Sequence, residues 1–203
     1  MKLNYKSIIA LFFIIQAQAQ VSFKPGIRTG LGFSTISETH STYKKDFYVG
    51  GFSEIRLGKY YALQPEITYS RQGSDNVVRN YNDENSGTEK FNKENLRLDY
   101  FSFTLLNKFT FGPGIQIQFG PSADFLVNHN LVKRKDANDL AFVTGIGYRL
   151  PSGLTFEARF KKGFYDILDS DYYYNDSNDN YLFGDYNTNI NFQIGISYSF
   201  KVQ

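Results

Sequence analysis

The chain is 203 residues long, lacks Cys and Trp, and sets 22 Lys and Arg against 20 Asp and Glu. That length suits one domain, and without thiols the fold uses no disulfide. No basic run exceeds Lys133-Arg134-Lys135, so nothing marks a nucleic-acid partner.

The N-terminus reads as an export signal. Lys2 and Lys6 give a positive start, Ile8–Ile15 is apolar, and Ala17-Gln18-Ala19 supplies a small-x-small cleavage pattern. The expected division is a signal peptide over 1–19 and one domain over 20–203. Cleavage would remove two Lys and no acid, leaving as many basic as acidic residues. Beyond residue 19 no apolar run approaches the ~20 residues of a membrane helix. An exported chain rich in aromatics, here 20 Phe and 16 Tyr, can still enter a membrane as a barrel.

Eight stretches then alternate with a period of two. The first is residues 26–33, with Ile27, Thr29, Leu31 and Phe33 on one face and Gly26, Arg28, Gly30 and Gly32 on the other. Residues 47–57 follow, less clean because Gly51 and Ser53 interrupt the apolar face. The remaining six are 63–70, 100–111, 115–125, 142–149, 154–161 and 191–200. The last alternates Phe192, Ile194, Ile196, Tyr198 and Phe200 with small or polar residues and ends beside the C-terminus. About ten residues is the length at which a tilted strand crosses a bilayer.

The connections alternate too. Gly58-Lys59-Tyr60, Gly112-Pro113-Gly114 and Pro151-Ser152-Gly153 are tight turns. The other four, at about 34–46, 72–96, 128–139 and 165–188, are long and polar. The expectation is an all-β fold: an eight-stranded antiparallel up-and-down transmembrane β-barrel with short periplasmic turns and long external loops. A soluble lipocalin-like barrel is the competing architecture, but it would place apolar residues inside.

An eight-stranded barrel has an interior that side chains fill, so inward charges have to pair. Strand parity points Arg28, Glu54, Arg56, Glu66, Lys108, Glu157 and Arg159 inward, four basic and three acidic groups. This set reads as an ion-paired plug. A gated polar path or a proton relay is the functional alternative.

The segment Leu63-Gln64-Pro65-Glu66-Ile67-Thr68-Tyr69-Ser70-Arg71-Gln72-Gly73 resembles the PorT-like outer-membrane β-barrel family of Bacteroidetes. So do Gly30-Leu31-Gly32-Phe33-Ser34, Leu98-Asp99-Tyr100-Phe101 through Lys108-Phe109, and Leu154 through Phe160. Thr104 stands where members often carry Pro. The resemblance implies an eight-stranded barrel in the outer membrane. Its founding member serves a secretion system, a role that no residue here carries over.

Candidate chemistry is sparse. His40, flanked by Ser37 and Ser41, and His129 fall in expected external loops, without a pattern fixing a base and nucleophile. Asp176, Asn178 and Asn180 match the first spacings of a calcium loop, but Tyr181 replaces the required Gly and Asn187 the closing Glu. Tyr172, Tyr173, Tyr174, Tyr181 and Tyr186, set among Ser, Asn and Asp, form a composition suited to recognition. The expected role is therefore structural or interaction-based, with no catalytic residue, cofactor or nucleic acid. Outer-membrane lipid, lipopolysaccharide and an envelope protein are the expected partners. Membership of a secretion complex and lipid modification are the alternatives.

Overall fold

Period-two alternation gives each strand two unlike faces, and the chain closes with its polar face turned inward. The computed structural model describes residues 22–37, 39, 41–82, 89–131, 138–168 and 187–200. The expected leader lies outside them, as do His40, Asp176, Asn178, Asn180, Tyr172, Tyr173, Tyr174, Tyr181 and Tyr186. Eight strands form one closed barrel in sequence order: β1 (Ser22–Ile36), β2 (Thr42–Arg56), β3 (Tyr61–Asn82), β4 (Glu89–Phe111), β5 (Ile115–His129), β6 (Asp139–Arg149), β7 (Leu154–Gly163) and β8 (Asn189–Ser199). Every neighbouring pair is antiparallel, and β1 closes on β8 from Gly26↔Ser199 to Ile36↔Asn189.

The burial pattern inverts that of a soluble protein. Gln64 is 0% exposed, and Lys108 and Arg159 are each 2% exposed, whereas Ile27 and Ile146 are 56% and 63% exposed. Large aliphatic and aromatic side chains on every strand face outward, far more than a water-facing surface carries. Aromatic contacts band both ends of this wall. Phe47, Tyr69 and Phe101 form a chain of ring contacts towards one end, and Tyr61, Phe109 and Phe119 form another towards the other. Such girdles mark membrane interfaces.

The three short turns share one end with the start of β1 and the end of β8. In the tightest, Gly114 adopts φ 128°, and a Cβ there would strike the Arg149 carbonyl. Its N–H donates to Phe111 at 2.8 Å while its own carbonyl accepts from Arg149 N–H at 2.8 Å.

The outer connections correct the sequence reading. Much of 34–46 and 72–96, expected as loop, is strand, and the first two outer connections shrink to 37–41 and 83–88. Beyond the membrane the outward face meets water, so its apolar alternation fades while ladder hydrogen bonds continue. The β2 ladder stops at Thr42↔Asp75 and the β5 ladder at Leu98↔His129. Above those points β3 and β4 pair only with each other, past a register shift between Ser74 and Val77 where Asn76 takes φ 59°. The result is a two-stranded ribbon extending past the closed ring, its base at Val77 and Leu96 buried against the mouth and its stem clamped by Arg79 donating to Glu94 at 3.1 Å.

Candidate functional site

The site is the lumen and the structure that covers it. Inward parity places the seven expected charges on one continuous inner surface, where the chain pairs them in tiers. Nearest the short turns, both oxygens of Glu54 accept from Arg149 Nη1, at 2.8 and 2.9 Å. Arg56 Nε donates to Glu54 at 2.8 Å, and Lys108 Nζ lies 3.8 Å from it. Lys108 also donates to Gln64 at 2.9 Å.

The next tier is built on Arg159. Its two terminal nitrogens grip Glu66 at 2.7 and 2.9 Å, and Nη2 also reaches Glu157 at 3.0 Å and Gln118 at 3.2 Å. A planar guanidinium fits a carboxylate in this two-point manner. Arg28 donates from Nε to Glu157 at 3.0 Å and lies 3.5 Å from Glu66. Its plane sits 4.4 Å from the Tyr48 ring centre. Gly30 and Gly195 make room for that ring, since a Cβ on either would collide with the Tyr48 hydroxyl.

Higher still, Lys161 donates to Asp124 at 2.6 Å and to Ser102 at 3.1 Å, and Ser122 donates to Asp124 at 2.8 Å. Then charge gives way to amides: Asn189 donates to Gln72 at 2.6 Å, and Gln72 donates to Ser70 at 2.7 Å. A void of about 10 Å³ beside Arg28, Arg159 and Lys161 is the size of a single water. Phe52, Tyr100 and Leu106 fill the remaining inward space.

Above the polar tiers lies an apolar cap. Ile36 of β1, Val77 of β3, Leu96, Leu98 and Tyr100 of β4, and Leu131, Ile167 and Leu168 of the outer connections form one buried cluster. Ile167 and Leu168 are 0% and 1% exposed, and the Ile167 N–H is held by the Asn187 carbonyl at 3.1 Å. Two outer connections thus fold down over the mouth. Asp139 anchors the descent, its Oδ1 accepting from the N–H groups of Phe164 and Tyr165 at 3.1 and 3.0 Å.

Sequence reasoning missed part of this. Arg149, Lys161 and Asp124 share the inward parity of the expected seven; Arg149 joins Glu54, and Lys161 and Asp124 pair with each other. The cap was signalled by the alternation of Leu96, Leu98 and Tyr100 and by the aliphatic pair Ile167-Leu168 within a polar stretch. Glu66 meets Arg28, but its main partner is Arg159, while Arg56 and Lys108 serve Glu54. The His129 Nδ1 accepts from the Leu131 N–H at 3.2 Å. Among the described residues no cluster of His, Cys, Asp or Glu is arranged to hold a metal.

The family model described as outer membrane protein beta-barrel domain matches residues 7–200. The chain belongs to this family. Three solved structures share the architecture. Neisserial surface protein A aligns at TM-score 0.52 and 12% identity, covering 89% of this chain and 99% of that one. Ail of Yersinia pestis, in complex with the heparin analogue sucrose octasulfate, aligns at 0.52 and 11%, covering 88% and 99%. OprG of Pseudomonas aeruginosa aligns at 0.50 and 13%, covering 91% and 99%. At these identities the likeness carries the fold alone. No curated protein matches the chain in sequence. As a member of the outer membrane β-barrel family it is an integral outer-membrane protein, and the paired lumen is the inside of a membrane-spanning wall.

Proposed function

We propose that this protein is a non-enzymatic surface-recognition barrel, with the lumen as scaffold and the outer end as contact surface. The projecting β3–β4 ribbon carries this reading. Above its base its strands ladder only with each other, and it exposes Phe91 beside Lys93, while among the described residues paired side chains fill the lumen around a void the size of a single water. Open-edged ribbons are ready contacts for other chains. The Tyr-rich stretch 172–186 supplies a second recognition surface of adaptable composition. Its partner is an envelope protein or a glycan. The heparin analogue on Ail supports a saccharide as one class that barrels of this architecture meet. Calcium held by Asp176, Asn178 and Asn180 would be an accessory to that contact, not its basis.

Membership of the PorT-like subgroup is a finer proposal. It rests on Leu63–Gly73, whose inward residues Gln64, Glu66, Ser70 and Gln72 all make lumen hydrogen bonds. Those positions report barrel packing, so they transfer no secretion role.

The test is a deletion of residues 169–185, which keeps Ile167 and Leu168 in the cap. The shortened protein should keep the heat-modifiable gel shift of a closed barrel and lose adhesion to cells or arrayed glycans. Retained adhesion would remove this loop from the contact surface. Orientation is checked on intact cells: Asn85→Cys should react with an impermeant maleimide, and Gly114→Cys should not.

A further inference from the structure

Three of the chain's five prolines lie in one hydrogen-bond row of the wall. Pro25 faces Ser53, Pro65 faces Leu105, and Pro121 faces Phe142. The β2–β3 ladder breaks between Phe52↔Glu66 and Ile55↔Leu63, where Ser53 stands opposite Pro65. The β4–β5 ladder breaks between Thr104↔Ser122 and Asn107↔Phe119, where Leu105 stands opposite Pro121. Proline has no N–H to donate, and one missing donor accounts for each gap. A proline inside a central strand is uncommon, and here Pro65 and Pro121 flank β4 at one level. Gly51 and Ser53 add no bulk on the same face.

The outcome is a concavity of about 660 Å³ in the outer wall, floored by Ser53, Pro65 and Pro121 and walled by Ile67, Phe103 and Leu140. Along β3 the wall continues from Pro65 through Ile67 and Tyr69 to Arg71, and along β4 from Leu105 to Asp99 and Arg97. Six residues at ~3.3 Å each, tilted ~45°, rise about 14 Å, half the ~30 Å hydrocarbon thickness. The groove therefore reaches the bilayer centre, and the arginines stand at the outer headgroup level, above the aromatic chain. Arg71 donates to Asp99 at 3.1 Å and lies 3.8 Å from Asp46, while Arg97 lies 3.8 Å from Asp99. The acids sit deeper: the Asp99 and Asp46 side chains are 3% and 13% exposed, against 33% for Arg71 and 42% for Arg97. The charges balance in number, and the guanidinium groups are the more exposed members.

We propose that this strip holds one lipopolysaccharide molecule, a lipid A acyl chain lying in the proline groove and a phosphate meeting Arg71 and Arg97. An apolar hollow open to hydrocarbon takes a hydrocarbon chain, and the exposed guanidinium groups one leaflet-depth above it select an anionic headgroup. In the outer leaflet that combination is lipid A. The site depends on the embedded wall and is independent of the loop recognition proposed above.

The full mature barrel is placed in phosphatidylcholine nanodiscs with lipid A carrying a photoreactive diazirine at the end of one acyl chain, and adducts are mapped by peptide mass spectrometry. Adducts on residues 51–53, 65–67 and 103–105 should exceed those at Ile146, Phe156 and Ile194 on the far wall about tenfold. Ser53→Phe with Ala123→Phe fills the hollow from the lipid side and should abolish the excess; if that pair does not fold, Ser53→Leu alone serves. Arg71→Gln with Arg97→Gln should cut the excess for phosphorylated lipid A and leave that for dephosphorylated lipid A unchanged. Even labelling around the barrel, or an excess surviving Ser53→Phe with Ala123→Phe, overturns the groove. An excess indifferent to the arginine changes overturns the headgroup assignment. Cross-links joining two barrels through Ser53 put a second copy there and overturn the proposal.

Discussion

Between the short turns and Lys161 the lumen is filled by paired charges, whereas the mouth above Tyr100 is filled by aliphatic side chains. The lower region sits within a complete ring of ladders. A rigid wall holds side chains at fixed spacing, so directional contacts such as the two-point Arg159–Glu66 pair can form and stay formed. The upper region begins where the ladders to β2 and β5 end. There the ribbon and two outer connections must be tied together without a closed sheet, and non-directional apolar burial does that. Charge works where geometry is already fixed, and apolar burial works where it has to be gathered.

The sharpest way to break this comparison is to remove one partner in the lumen. Glu66→Ala leaves Arg28 and Arg159 sharing the single carboxylate of Glu157, and should cost about 3–5 kcal/mol. Urea titration of the barrel in detergent micelles checks it. Replacing both partners, Glu66→Leu with Arg159→Met, should cost less than Glu66→Ala alone, because no buried charge remains unpaired. In the cap, Leu98→Ala should cost about 2 kcal/mol, the low end for a buried aliphatic residue because water can enter the void at the mouth. Its signature is local: proteolysis near residues 131–138 should quicken while the heat-modifiable gel shift persists. At the ribbon, Glu94→Gln removes a partly exposed pair and should cost no more than ~1 kcal/mol, with the loss shrinking as salt rises. Salt should leave the Glu66→Ala penalty nearly unchanged, because those side chains are sealed from solvent.

How far the sequence carried this account differs between the two regions for the same reason. A membrane wall imposes strict alternation, so Ile194 against Gln193 or Phe103 against Thr104 can be read directly as outside against inside. The short turns were equally plain, because Gly114 and Gly153 are needed where φ is positive. Past the membrane the rule lapses. Nothing in Arg79 or Glu94 taken singly says strand; the backbone ladder between β3 and β4, with their cross-strand pair, keeps the ribbon extended. Which cation meets which acid was also out of reach of parity. That depends on strand stagger, which brings Arg159 of β7 across the barrel to Glu66 of β3. Ile167 and Leu168 were visible as an apolar pair, but their descent into the mouth depends on the Asp139 and Asn187 contacts.

Conductance in planar bilayers tests the central claim most directly, that the lumen is closed by its own pairing, independently of the cap. The intact protein and the Ile167→Ala, Leu168→Ala variant should both be silent, because the Arg28, Glu66, Glu157 and Arg159 tier blocks the path even with the mouth loosened. A steady porin-like step in the intact protein, or one appearing in the cap variant, would contradict it.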